Sequence, residues 1–451
     1  MHAATETHSP RSDWRHDKVL WMILGTALLL GVVYNFVILP GFGPDEHRHF
    51  NYVKLLFTEH RLPFLLPDGS EYHGAHSFHP PLYYLYLLPF YFIGKFLPGD
   101  AVWHVMRLGS LLICLLALPM IYQLANAAGG KRIAWIATIL VGWLPMWGMT
   151  AGTINNDSAN FFAVVMLLWL LAIVFPQDRS YRSAAIIGIA LGLGTLCKAT
   201  ALLCGIVAIA LYLLLQYGKN GWKAPEMWGR LGAVIGITII VAGWWHVRSI
   251  LMYGTFTPMP PSMPTPFLPD PSNGMLVLMM HPHFPELFGY ANLKIFETIW
   301  VQKNWLLMSS PMNPWRTVIR NGIYGIFALF TFAGATGYML HKFRPRGSDQ
   351  TNSVPLSSQL AKVLSAATFI VSWLAVLQVA LFWHWGWAEG GRYLLPGLCG
   401  FSIWNARGLS FLTGKKITVC FVLICLFLLT INIISIYWLI TYLNPTFGNL
   451  S

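Results

Sequence analysis

Read along its length, the chain alternates long apolar runs with short polar breaks. Runs at 18–40, 102–127, 133–151, 158–176, 183–197, 199–217, 230–250, 316–340, 361–383, 394–411 and 416–441 stand out. Each approaches or exceeds the roughly 20 residues that carry a helix across a bilayer. A twelfth stretch, 80–97 ("PPLYYLYLLPFYFIGKFL"), opens on two prolines and carries Pro89 at mid-length, which interrupts helical hydrogen bonding. Its tyrosines suit a membrane interface. The pattern predicts an all-α integral membrane bundle of about 11 transmembrane helices, without a separate soluble domain.

Charge decides how the runs are threaded. If 80–97 lies at the interface, the basic breaks at 128–132, 177–182, 218–230, 341–362 and 407–416 fall on the same side as Arg11, Arg15 and Lys18. That side then holds 17 of the 29 Lys and Arg but only 6 of the 17 Asp and Glu. Cytoplasmic loops are enriched in Lys and Arg, so residues 1–17 read as a cytoplasmic tail and 41–101 as a first outer loop with interfacial helices. By the same logic 251–315 is a large outer loop and 341–360 a cytoplasmic linker. The net charge of +12 reflects this threading and not a nucleic-acid partner. No small-residue cleavage site follows the first run, which reads as a retained helix.

Composition adds two points. With 56% hydrophobic and 10% charged residues, ionisable groups are scarce enough for their positions to matter. The six cysteines all fall in apolar runs and form no disulfide framework or CxxC metal motif. No predicted span carries an ionisable group near its middle, which argues against an ion-coupled transporter. Instead Arg107, Lys198, Arg248, Arg316 and Arg320 sit at outer span ends, with Asp157, Glu389 and Arg392 in outer turns.

This distribution suits a sugar linked through phosphate to a membrane lipid. Cations at span ends would hold the phosphate as it leaves, and a loop carboxylate would take the proton of an incoming hydroxyl. "GPDEHRHF" (43–50) supplies the carboxylates Asp45 and Glu46, with Asp45 either base or cap of the helix that follows. "HSFHPPLYY" (76–84) offers His76 and His79, which with His73 present imidazoles at a spacing that is weak evidence for a metal. Lys198 separates two short apolar helices, Gly390 and Gly391 permit a tight turn presenting Arg392, and Asp157 opens a span where N-capping is the competing reading. Arg316 and Arg320 share a helix face.

These motifs, in this order, resemble the GT-C superfamily of polytopic glycosyltransferases that use polyprenyl-phosphate sugars. The resemblance is to the lipid A aminoarabinose transferase and protein O-mannosyltransferase group and rests on "GPDEHRHF", "HPPLYYLY", "NNDSANFF", "GLGTLCKATALL", "GWWHVRSILMYG" and "GGRYLLP". It implies Asp45 as catalytic base, with Glu46 completing an acidic pair. It also implies Arg48, Lys198, Arg392 and His79 as donor-phosphate contacts, His79 standing where the aminoarabinose branch has lysine. Asp157 matches a second acidic position, and Arg107, Arg316, Arg320 and Glu389 are possible supports. The expected partners are a polyprenyl-phosphate sugar donor, membrane lipids and an acceptor glycan, lipid or protein. No cofactor is certain, and a divalent metal stays open. The expected location is a bacterial inner membrane, with the active site facing outward. A lipid-sugar flippase and a non-catalytic envelope scaffold are the alternatives.

Overall fold

The structure is a computed structural model that describes residues 14–66, 70–218, 221–256, 314–343, 354–382 and 391–443. Among these residues helix is the regular structure, joined by turns and loops, with one isolated β-bridge between Leu65 and Glu71. The helices are α1 (Lys18–Val37), α2 (Glu46–Glu59), α3 (Leu82–Gly94), α4 (Ala101–Gly129), α5 (Lys131–Gly142), α6 (Pro145–Ala151) and α7 (Asn156–Trp169). They continue as α8 (Tyr181–Cys197), α9 (Ala199–Tyr217), α10 (Pro225–Tyr253), α11 (Pro314–Phe343), α12 (Leu356–Phe382), α13 (Leu395–Thr413) and α14 (Ile417–Trp438).

Helix is thus found at every predicted span, but the count of eleven crossings is not reproduced. Seven helical stretches among the described residues are long and apolar enough to cross, or eight if the bent α5–α6 pair is one span. The stretch Leu395–Thr441 joins two predicted runs, α11 supplies only the shorter apolar segment Gly325–His341, and two local causes lower the number further. Helix α8 has 17 residues, just short of a bilayer crossing. Pro145 cannot continue α5, so α5 and α6 meet at 61°. The carbonyl of Trp143 freed at this break accepts Asn432 Nδ2 of α14 at 2.8 Å, which meets the demand for satisfied backbone in an apolar interior.

The doubtful stretch forms one short helix that runs through Pro89, where the sequence suggested an interruption. Helix α3 has 13 residues, or about 20 Å at 1.5 Å per residue, against a hydrocarbon core of about 30 Å. It packs on α2 and on the first turns of α4. Most of the outer segment 251–315 and half of the linker 341–360 lie outside the described residues.

Polar knots close the two ends of the bundle. At the basic end, Asp17 caps α1 through Val19 N (3.0 Å) and Leu20 N (3.3 Å). Its other oxygen accepts Tyr122 Oη (2.5 Å) and Trp135 Nε1 (3.0 Å), with Lys131 Nζ at 3.3 Å. Nearby breaks are tied by Arg230, which donates to the carbonyl of Asp178 (2.9 Å) and to Gln216 Oε1. Arg230 and Arg407, expected in breaks, lie inside α10 and α13.

Burial raises the pKa of Asp17, but the bonds from Tyr122, Trp135, Leu20 N and Lys131 outweigh it and hold the group below its ordinary value. A depressed carboxylate stabilises the fold above its unfolded pKa and loses that contribution as pH falls through the folded pKa. Asp17→Ala is expected to cost about 2 kcal/mol. In a detergent melting series, Asp17→Asn should flatten the loss of stability below about pH 4.

Candidate active site

Helix α1 ends at Val37 and the chain turns back through "ILPGFGPDE" into α2. Two residues of this turn have left-handed backbones, Gly41 (φ 77°) and Asp45 (φ 57°). Gly41 is needed there, since a Cβ would stand 2.2 Å from the His47 ring. Asp45 occupies the N-cap position, and its carbonyl accepts Arg48 N (2.9 Å) and His49 N (3.1 Å). Its side chain makes no capping hydrogen bond and is exposed. The capping alternative therefore does not account for the carboxylate. Asp is among the few residues that tolerate this backbone, and strained residues of this kind cluster at functional sites.

The next residue points the other way. Glu46 is fully buried against Arg107, itself fully buried. Arg107 Nε and Nη2 donate to Glu46 Oε1 and Oε2, each at 2.8 Å. Gly43 N (2.9 Å) and Ile154 N (2.8 Å) complete the carboxylate's four contacts. The remaining N–H groups of Arg107 reach the carbonyls of Asn35 (2.6 Å), Ile38 (2.7 Å) and Leu39 (2.9 Å). Five donors and four acceptor positions are all used. Glu46 was expected to share the chemistry with Asp45, but the structure seals it away. With Arg107 it clamps the end of α1, the Asp45 turn and the start of α7 together.

Asn155 extends this clamp. Its Oδ1 accepts Asp157 N (2.8 Å), so Asn155 and not Asp157 caps α7. Its Nδ2 donates to the carbonyl of Pro44 (3.3 Å), next to Asp45, and its N–H to Tyr83 Oη of α3 (2.8 Å). Asp157 is buried and paired with Lys198 Nζ. Lys198 is a single extended residue (φ −163°, ψ 140°) between α8 and α9. Its ammonium also lies 4.8 Å from the centre of the Tyr393 ring, in the turn that carries Arg392. An ammonium has three N–H groups, so Asp157 does not exhaust it.

A third group surrounds Arg48, which is half exposed and 3.6 Å from Glu71. Glu71 Oε1 accepts from His76 Nδ1 at 3.1 Å. The His76 ring lies 4.7 Å from both the His49 and His79 rings. His49 Nδ1 meets Tyr84 Oη at 2.9 Å, and the carbonyl of His79 accepts Tyr52 Oη at 3.2 Å. Among the described residues no three His, Cys, Asp or Glu side chains are arranged to hold a metal ion. The divalent metal left open by the sequence finds no ligand set among them.

Asp45, Arg48, His79, Asp157 and Lys198 are thus brought to one end of the bundle by α2, α3, α7 and the α8–α9 junction. Arg392 lies in the Gly391–Leu394 turn, while its side chain, those of Arg316 and Arg320 in α11, and all of Glu389 lie outside the described residues. Arg248 joins the same end, donating to the carbonyl of Pro63 at 2.8 Å. Sequence reasoning missed Asn155, Tyr83 and Glu71. Asn155 had a signal, as an extended-region polar residue directly before a span. Tyr83 had none, because a tyrosine at an interface is ordinary.

This all-helical membrane bundle has the GT-C type of architecture. Residues 79–246 match the family model described as dolichyl-phosphate-mannose-protein mannosyltransferase, less than half of the chain. The matched segment contains His79, Arg107, Asp157 and Lys198 but stops short of Asp45 and Arg48. No curated protein matches in sequence. The oligosaccharyltransferase of Archaeoglobus fulgidus, solved with Zn and sulfate, is similar at TM-score 0.51 and 18% identity, over 93% of this chain and 53% of that one. Another structure of that protein, AglB, holds an inhibitory peptide and a dolichol-phosphate. It gives TM-score 0.51 at 14% identity, over 95% and 56%. ArnT from Cupriavidus metallidurans, bound to undecaprenyl phosphate, gives TM-score 0.41 at 15% identity, over 87% and 77%. The chain spans about half the length of the archaeal protein, and at these identities the likeness is one of fold.

Proposed function

We propose that the chain is a membrane glycosyltransferase that moves a sugar from a polyprenyl-phosphate donor to a hydroxyl of an envelope lipid, polysaccharide or protein. The observation that carries this reading is the pairing of an exposed, non-capping Asp45 with the Asp157–Lys198 pair, held on one scaffold through Asn155. Asp45 takes the proton of the acceptor hydroxyl as its oxygen bonds to the anomeric carbon. The bond from that carbon to the phosphate oxygen breaks, and its electron pair leaves with the lipid phosphate. Attack opposite the leaving group inverts the anomeric centre. Lys198, Arg48, Arg392 and His79 receive the growing charge on phosphate. Glu46 and Arg107 act through the backbone, as positioning residues.

The threading preferred by the basic breaks supports a cytoplasmic N-terminus and a reaction on the opposite face of a bacterial inner membrane. The fold match and the matched family model support a lipid-linked donor. Arg48 gives a direct test, because it is half exposed and costs little stability to remove. Arg48→Ala is expected to weaken binding of undecaprenyl phosphate to the purified protein about tenfold, the loss of one charge-assisted hydrogen bond. Unchanged affinity would assign Arg48 to Glu71 alone and remove it from the phosphate site.

A further inference from the structure

The first turns of α7 read "NNDSAN", five polar residues in six at the start of an apolar helix. Three have clear employment. Asn155 caps, Asp157 pairs with Lys198, and Ser158 Oγ donates to the carbonyl of Asn155 at 2.6 Å. The other two do not complete their hydrogen bonding. Asn156 and Asn160 are each about 1% exposed. Asn156 Nδ2 has no partner, and neither has Asn160 Oδ1. Asn160 Nδ2 donates to Thr200 Oγ1 at 2.9 Å. Reversing the Asn160 amide would only exchange which end is left over.

Buried polar groups in native proteins are nearly always paired, and an exception calls for a ligand, a bound water or a role in function. Here two exceptions lie one turn apart on the same helix, so they share a face. Asn160 turns toward Thr200, two residues beyond Lys198, at the start of α9. Asn156 directly precedes Asp157, the partner of Lys198, so both amides sit on the elements that hold the ammonium assigned to the donor phosphate. One offers a hydrogen-bond donor and the other an acceptor, and both are neutral. A hydroxyl group donates one hydrogen bond and can accept up to two, and a sugar ring carries several hydroxyls side by side. A lipid tail serves neither group, and the neutrality of both suits an uncharged partner better than a phosphate.

We infer that Asn156 and Asn160 bind hydroxyls of the transferred sugar, making α7 the element that recognises the glycosyl unit while Lys198 faces its phosphate. This rests on the proposed transferase reading and deepens it. Asn156 and Asn160 are specificity-determining residues, and the sugar they select is a neutral one with adjacent hydroxyls. A site that is built to hydrogen-bond a hydroxyl discriminates strongly against ligands that lack it, because its own polar groups are then left unpaired.

The test uses the purified full chain in lipid nanodiscs. Binding is measured for undecaprenyl phosphate, bare or carrying glucose, mannose, galactose or N-acetylglucosamine. The wild type should bind at least one sugar-bearing lipid about tenfold more tightly than the bare lipid. Asn156→Leu, close to isosteric, should reduce that preference to about twofold or less, with affinity for the bare lipid unchanged. Its ligand-free melting temperature should not fall, since the substitution removes an unpaired buried group. Asn160→Leu should behave alike in binding. Variants that keep the preference would show the amides hydrated and uninvolved, and overturn the inference. So would a wild type indifferent to all four sugars, or variants that lose bare and sugar-bearing lipid equally. Failure of the underlying transferase reading looks different, because bare undecaprenyl phosphate would then not bind the wild type at all.

Discussion

Asparagine at position 45 is expected to leave the protein folded and to lower sugar transfer by about a thousandfold, within the range for losing a general base. The choice of asparagine follows from the backbone. Asp45 sits at φ 57° and ψ 14°, a conformation in which most side chains cost about 1–2 kcal/mol and asparagine is tolerated. Asp45→Ala would mix lost chemistry with a strained turn, and that turn also begins α2. Asp45→Asn removes only the proton acceptor. Its melting temperature and binding of undecaprenyl phosphate should match the wild type. Glycolipids, envelope polysaccharides and glycoproteins compared by mass spectrometry, in cells carrying either form, report the transfer. Wild-type transfer by Asp45→Asn would remove Asp45 from the chemistry and with it the proposed mechanism. Asp45→Glu is informative as well, because it restores a carboxylate on a longer arm over an unfavourable backbone. Partial recovery is the expected result.

The bundle was legible in the sequence because a bilayer admits few solutions. Runs of about 20 apolar residues separated by charged breaks leave helices as the means of satisfying the backbone. The prolines at 80, 81 and 89 marked α3 as the exception, and it is short. What was not legible was direction. Asp45 and Glu46 read as an acidic pair because they are neighbours. The left-handed backbone at Asp45 leaves one carboxylate exposed and delivers the other to Arg107, 61 residues away in sequence. Asp157 read as a cap because Asn and Asp compete equally for that position. Which of them wins depends on Lys198, placed there by the α8–α9 break. In the same way "NNDSAN" reads as one polar cluster. Only the packed structure separates the cap, the ion-paired carboxylate and the bonded serine from the two amides that are left over. Composition and period locate a site of this kind, whereas roles within it depend on partners that only tertiary packing supplies.

Breaking the Glu46–Arg107 pair should cost more stability than any other substitution considered, and this separates a clamp from a catalytic acid. Removing one partner of a buried ion pair typically costs about 3–5 kcal/mol. Arg107→Leu also strips hydrogen bonds from the carbonyls of Asn35, Ile38 and Leu39; Leu39 keeps Phe42 N at 3.1 Å, but a buried carbonyl left unsatisfied costs about 1–3 kcal/mol. This variant should fail to accumulate as folded protein. Glu46→Gln keeps the shape but turns an amide donor toward Arg107 and, with it, the N–H of either Gly43 or Ile154, and should melt well below the wild type. Its residual transfer should follow the folded fraction. Replacing both residues by leucine removes both charges together, so the cost should be less than the sum of the single changes. Recovery stays incomplete, since the N–H groups of Gly43 and Ile154 and the carbonyls of Asn35 and Ile38 lose the partners they had in the pair. A Glu46→Gln protein that melts like the wild type yet transfers no sugar would instead place this carboxylate in the reaction. The sealed geometry around Glu46, with each lone pair engaged, predicts the opposite.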